Sequence, residues 1–281
     1  MNALLLGFAF GLMTQTEPVR MQSLTGNIEK IEAFESKILG NKRPVHVYLP
    51  PQYKTEPTRR FKVVVMHDGQ NCFNGATSYV PNQEWRADEA AEGLIGAGLI
   101  EPIIIVAVDN MGAERADEFL PIRVSFRGTR AGGKADLYTQ MICDELLPMI
   151  DKKYRTRTSP ADRLVVGSSF GGVISLHIGL NRPEVFGNIG VVSPSLWVGE
   201  GRQVRDVEAL PKKLPLKIWT DMGTGEGAEL VTALGRLGKA FESKGWVPGK
   251  DLAVYIDHGA KHNEAAWAIR FPALLQYFFG R

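Results

Sequence analysis

From Phe61 onward the chain alternates between two hydrophobic periods. FKVVVMHDG is a continuous β-branched and apolar run that breaks on Asp-Gly, the pattern of a strand buried on both faces. EWRADEAAEGLIGAG then places its apolar residues at helical spacing, and EPIIIVAVDN returns to an uninterrupted strand. ADLYTQMICDELLPMIDKKY is amphipathic with a helical period. DRLVVGS reads as a strand, and FGGVISLHIGLNRP as a helix closed by Asn-Arg-Pro. FGNIGVVSPS, LKIWTDMG and DLAVYIDHG are further strands, with ELVTALGRLGKAFESKG and EAAWAIRFPALLQYFFG as helices. Upstream, NIEKIEAFESKIL and RPVHVYLP alternate apolar and polar residues about Gly40-Asn41 and predict an antiparallel hairpin. This alternation predicts an α/β protein: one mostly parallel sheet with helices on both faces and the hairpin at an edge. In such sheets the chemistry gathers beyond the carboxyl ends of the strands.

Composition narrows the class only a little. The 281 residues are 44% hydrophobic and 23% charged, enough for a core of ordinary size. Net charge is +2, from 33 basic and 31 acidic residues, with no basic tract to suggest a nucleic-acid surface. Two cysteines, Cys72 and Cys143, exclude a disulfide framework and favour two buried free thiols. Asn2 to Met13 is an apolar block too short to span a bilayer. It resembles the core of a secretory signal, without a basic start or an A-x-A site, which favours a secreted or periplasmic location over a cytoplasmic one. Residues 1–22 are set apart, and 23–281 are expected to form one domain.

The chemistry-bearing pattern is Gly167-Ser168-Ser169-Phe170-Gly171, a G-x-S-x-G match. The pattern alone is weak in a chain with 30 glycines, and a plain strand–helix turn would carry it as well. Its setting strengthens it. It lies between a strand and a helix, where a sharp turn would lift the Ser169 hydroxyl above the sheet, beside a helix N-terminus that favours developing negative charge. Such a serine needs a base. His46 is mid-strand, His177 lies two turns down the helix, and His67 ends the first central strand. His258 and His262 follow the last strand, and His262 is preferred because it sits on the loop just before the last helix. Asp221 and Glu226 flank the glycine turn in WTDMGTGEGAEL, and spacing leaves the acid open between them. An oxyanion hole would take the N–H of Phe170 and one from Gln70, in the HDGQN loop. His258 and His262 are four apart, but a glycine intervenes and no metal site is expected; GTGEG lacks both common nucleotide-binding spacings. No cofactor is expected.

VYLPPQY, VVVMHDGQN, GSSFGG, VVSPSLW, DMGTGE and HNEAAW together resemble the esterase family that includes enterochelin esterases, feruloyl and acetylxylan esterases and esterase D. The resemblance runs from about Asn27 to Gly280. It implies an α/β-hydrolase fold and serine carboxylesterase activity, with Ser169 as nucleophile, His262 as base and Glu226 as acid. Some siderophore esterases of this family work with a weak or absent acid, so Glu226 is the member least fixed by the resemblance. A non-catalytic ligand- or glycan-binding protein on the same scaffold, and an acyltransferase, are the alternatives.

Only about 17 residues separate Trp197 from Pro215, which predicts no large cap and an open cleft. NMGAERADEFLPIRVSFRGTRAGGKAD has little periodicity and reads as a long loop carrying Arg115, Arg123, Arg127 and Arg130. Arg115, Trp85 and Trp197 are the candidate substrate contacts; Trp219 and Trp267 are expected in the core and Trp246 at a helix end. The expected partner is a small-molecule or polymer-linked ester, and the chain a monomer or homodimer.

Overall fold

The structure is a computed structural model that describes residues 18–126 and 128–281. Eight strands form one sheet: β1 (Asn27–Ser36), β2 (Asn41–Leu49), β3 (Lys62–His67), β4 (Ile103–Val108), β7 (Arg163–Ser168), β8 (Asn188–Val192), β9 (Lys217–Gly223) and β10 (Leu252–Asp257). A separate two-stranded ribbon pairs β5 (Val124–Phe126) with β6 (Thr129–Ala131). The sheet order is β1-β2-β4-β3-β7-β8-β9-β10. β1 and β2 form the edge hairpin expected from their alternation, with a bulge between Ile31 and Phe34; β2 is antiparallel to β4, and every later pair is parallel.

Burial follows the two-residue strand period. Val63, Val65, Ile104, Val106, Val165 and Ile189 join the core on one face, packed against the helices Phe170–Asn181 and Ala228–Ser243. Their neighbours Val64, Met66, Ile103, Ile105, Leu164 and Val166 face the other way, toward the helices Ala87–Gly96 and Glu264–Phe279. Both faces are therefore dry, which is why these strands carry no polar alternation.

Strand order reverses at β3. The chain leaves β3 toward β4 on one side and returns with β7 on the other. The loops after two adjacent strands therefore turn opposite ways, opening a crevice above the β3/β7 pair. The segments at that crevice are His67-Asp68-Gly69-Gln70 and Ser168-Ser169.

Three features depart from the sequence-based expectation. The connection after β4 is ordered. It contains a 3-10 turn at Gly112–Glu114, a helix at Arg115–Phe119 and the β5–β6 ribbon. Distant partners impose that order: Glu118 is buried against Arg43 with oxygens at 2.7 and 2.8 Å, and Phe119 is buried. Arg127 lies outside the described residues, while Arg123 and Arg130 are exposed. Residues 18–25, most of them set apart with the apolar block, run along the loop before Ala87. Asn82 Nδ2 donates to the Val19 carbonyl at 2.8 Å, and Thr25 N–H to Asp88 at 2.6 Å. The apolar block itself is outside the described residues. Trp85 belongs to the core, as detailed below.

Between β8 and β9 there is one short helix, Arg202–Glu208. Cys72 and Cys143 are both free and buried. No helix of the described residues is long and apolar enough to cross a membrane.

Candidate active site

Ser169 occupies the turn between β7 and the helix Phe170–Asn181 with φ 61° and ψ −121°. A non-glycine residue holds such a conformation only when its surroundings impose it, at a cost of about 1–3 kcal/mol. Here the Ser169 N–H donates to the Val192 carbonyl at 3.1 Å, and the Ser169 carbonyl accepts from the N–H of Ser195 at 3.3 Å. Space is tight on either side, most of all at Gly167. A Cβ on Gly167 would lie 2.9 Å from the Gly171 carbonyl carbon, and one on Gly172 would lie 3.0 Å from the Val192 oxygen. Ser169 is partly buried, and its Oγ meets Ser195 Oγ at 3.2 Å.

His262 follows β10, as the sequence order requires. Its Nδ1 lies 2.6 Å from Glu226 Oε2. A carboxylate only accepts, so Nδ1 carries the proton and Nε2 is the basic nitrogen. Trp267 stands edge-on to the imidazole at 5.1 Å. Glu226 ends the 3-10 turn Thr224–Glu226, which is laced to the histidine loop: Gly225 N–H donates to the Ala260 carbonyl at 2.9 Å, and Gly259 N–H to Thr224 Oγ1 at 2.8 Å. The Glu226 side chain is fully buried. Burial alone would raise its carboxyl, but hydrogen bonds from His262, Ser193 and the Gly223 N–H outweigh that and hold it below the ordinary range.

Asp221, the other candidate acid, faces away from His262. It accepts from Trp219 Nε1 at 2.7 Å and from the Ser193 N–H at 3.1 Å, and it pairs with Arg270 at 3.1 Å. Burial pushes it up to about 6, against the pull of Arg270. Of the two carboxylates Glu226 takes the histidine, while Arg270 lies nearer Asp221, at 3.1 Å against 3.9 Å from Glu226.

The loop after β3 turns at Asp68, in the left-handed region at φ 58°. Its own hydrogen bonds, Asn71 N–H to Asp68 C=O and Cys72 N–H to Gly69 C=O, do not use the Gln70 N–H. A Cβ on Gly69 would sit 2.7 Å from the Ala107 carbonyl carbon, so only glycine lets this turn lie on β4. Asn71 Nδ2 reaches Glu264 Oε1 at 3.1 Å and ties the loop to the start of the last helix. His67 is buried, bonded through Nδ1 to the Tyr138 hydroxyl at 3.0 Å, and held neutral by burial, which lowers it to about 3.

The structure brings Glu226 and His262 into contact after β9 and β10, and sets Ser169 at the same, carboxyl end of the sheet after β7, with β8 between β7 and β9. It does not join Ser169 to His262 by a hydrogen bond, the serine resting on Ser195 instead. Of the expected substrate contacts, Trp197 is 44% exposed and packs at a tilt of 55° against Phe170, with ring centroids 5.8 Å apart. Trp85 is not in the cleft. Its main-chain N–H donates to the Asn71 carbonyl, and its indole packs inward against Trp267 and Phe271, where the residue is 2% exposed. Arg115 is occupied within the protein. It forks onto Asp68 at 2.6 and 2.7 Å between the rings of Phe119 and Phe170. That arginine keeps the Asp68 carboxyl below its usual range despite burial. Trp219 and Trp267 are buried as expected, and Trp246 closes the helix Ala228–Ser243. Ser193, Ser195 and Arg270 were not foreseen as site residues, although the two serines lie in the quoted VVSPSLW segment. Among the described residues no group of His, Cys, Asp and Glu is arranged to hold a metal.

A glycine-flanked serine on a strained strand–helix turn, with a histidine–carboxylate pair after later strands of a mostly parallel sheet, is set on an α/β-hydrolase fold. The chain belongs to the family described as "Putative esterase", whose model matches residues 36–278. It is a carboxylic ester hydrolase. It is 27% identical over 254 residues to the uncharacterized protein YbbA of Bacillus subtilis (strain 168), covering 86% of this chain and 94% of that one. It is 29% identical over 186 residues to an endo-1,4-beta-xylanase/feruloyl esterase of Xylanibacter ruminicola, 66% of this chain but 24% of that longer protein. The fold superposes on the enterobactin esterase of Shigella flexneri with a TM-score of 0.70 at 19% identity, covering 92% of this chain and 60% of that one.

Proposed function

We propose that the protein hydrolyses its ester through a Ser169–His262–Glu226 triad and an acyl-enzyme. The observation that carries this reading is the Glu226–His262 hydrogen bond at 2.6 Å, formed at the same end of the sheet as a serine whose backbone is held in a strained turn. The Ser169 hydroxyl passes from Ser195 to His262 Nε2, which takes its proton as Oγ attacks the ester carbonyl. The N–H groups of Phe170 and Gln70 face the oxyanion, and the N-terminus of the helix Phe170–Asn181 adds to its stabilisation. The imidazolium, balanced by Glu226, returns the proton to the leaving alcohol. Water then repeats the sequence on the acyl-enzyme. No step calls for a metal or cofactor.

The substrate reading is a bulky ester linked to a sugar or phenol, of the feruloyl, acetyl or siderophore type. Support comes from the short β8–β9 connection, which puts no large cap over the site, and from the exposed Trp197 indole beside Phe170. The names of the similar feruloyl esterase and enterobactin esterase point the same way. We read residues 23–281 as one catalytic domain, and the enzyme as secreted or periplasmic.

The test is hydrolysis of p-nitrophenyl acetate and methyl ferulate by wild type and Ser169→Ala. The variant is expected to lose at least about 10⁴-fold in kcat while keeping its fold. Turnover equal to wild type would overturn the triad.

A further inference from the structure

Ser193 lies at the end of β8, fully buried, with φ 39°. Its N–H donates to the Asp221 main-chain carbonyl at 3.0 Å and to Asp221 Oδ1 at 3.1 Å. Its Oγ lies 2.6 Å from Glu226 Oε1, 2.7 Å from Arg270 Nη2 and 3.1 Å from Trp267 Nε1. The roles are forced. Arginine and indole nitrogens only donate and a carboxylate only accepts, so the hydroxyl gives its one proton to Glu226 and fills both lone pairs from Arg270 and Trp267. Glu226 Oε1 otherwise has the Gly223 N–H at 2.8 Å, while Oε2 carries His262. Two residues further on, Ser195 meets the Ser169 hydroxyl and carbonyl. A tripeptide thus touches the acid at one end and the nucleophile at the other, and Gly172 packs onto Pro194 between them.

We propose that Ser193 is a positioning residue for the triad: its hydroxyl fixes the plane of the Glu226 carboxylate that orients His262, and the buried Asp221–Arg270 pair holds Ser193 in place. This rests on the triad reading above. Ser193 touches no substrate, so its removal should change turnover and leave substrate binding alone.

The experiment is a double-mutant cycle on the full chain with p-nitrophenyl butyrate. It uses Ser193→Gly, Ser193→Ala, Glu226→Gln and the Ser193→Gly/Glu226→Gln pair. Glycine removes the hydroxyl but suits the positive φ, so its fold is the easier to keep; circular dichroism and a thermal melt check both single variants. Ser193→Gly is expected to lower kcat about 10- to 100-fold, the equivalent of one charge-assisted hydrogen bond, with KM within about twofold. The pair should be no slower than Glu226→Gln alone, because Ser193 acts through Glu226. Losses that multiply in the pair, or a change in KM with kcat intact, would overturn the role of Ser193. Wild-type turnover by Glu226→Gln would overturn the triad reading instead.

Discussion

Replacing Arg270 with methionine should leave the Asp221 carboxylate buried without its cation. The arginine side chain is 2% exposed and its partner 0%, with 3.1 Å between them. Breaking such a pair from one side costs about 3–5 kcal/mol. At about 2 °C per kcal/mol for a chain of this size, the melting temperature should fall by about 6–10 °C at pH 8. The loss must also depend on pH, with a definite sign. Asp221 sits at about 6 in the folded protein, above its ordinary 3.8. Burial raises it, and Arg270 is the main force holding it down. A carboxyl raised on folding makes the fold most stable when protonated, and that stability is lost as pH rises through the folded value. In wild type the loss is complete a little above pH 6. In Arg270→Met the folded value moves higher, so the loss continues toward pH 8. The gap between the two proteins should therefore widen from pH 6 to pH 8, by at most about 1.4 kcal/mol for each pH unit. Glu226 and Asp257 also lie within 4 Å of the guanidinium, so the carboxylate responsible must be isolated. Comparing Arg270→Met/Asp221→Asn with Asp221→Asn does this, and the gap between those two should be flat with pH. The assay is differential scanning fluorimetry from pH 5.5 to 8.5. A gap that stays constant in Arg270→Met, or that widens toward acid, would refute the reasoning.

Three further outcomes are expected. Trp197→Ala should raise KM for methyl ferulate about three- to tenfold through lost aromatic contact, and leave p-nitrophenyl acetate nearly unchanged; steady-state kinetics on both esters checks this. Gly172→Ala would press a Cβ to 3.0 Å from the Val192 oxygen and 3.2 Å from Pro194, and should cost about 1–3 kcal/mol, read as a lower melting temperature. Hydrolysis should run at the same rate in excess EDTA, whereas a loss restored by a divalent cation would contradict a serine mechanism.

The fold was legible because the central strands are buried on both faces and so advertise themselves as unbroken apolar runs. β3 and β4 needed no tertiary information to be read. The segment after β4 was not legible because its order is borrowed. Glu118 is held by Arg43, 75 residues earlier, and Arg115 by Asp68, 47 residues earlier; neither bond leaves a local period. Trp85 misled for a related reason. Its position near a strand end is a statement about the backbone. The direction of its indole is set by packing on Trp267 and Phe271, more than 180 residues further along the chain, on the last helix.

The site divides along the same line. Ser169 and His262 could be named as candidates because each stands at a junction between elements, where glycines and the order of the strands constrain what the residue can be. The acid could not be chosen from spacing, since Asp221 and Glu226 flank the same turn; what separates them is that Asp221 is still on β9, turned inward by the pleat, while Glu226 sits on a turn laced to the histidine loop. Ser193 carried even less signal. In the sequence it is a serine before a proline, an ordinary turn residue. Its significance exists only where Glu226, Trp267 and Arg270, lying 33, 74 and 77 residues further along, converge on one oxygen. That oxygen has one proton to give and two lone pairs to fill, and all three are used. Alanine would strand two buried donors, and a larger side chain would have no room in a fully buried position. The fit of serine there is set by contacts that no local pattern in the sequence can encode.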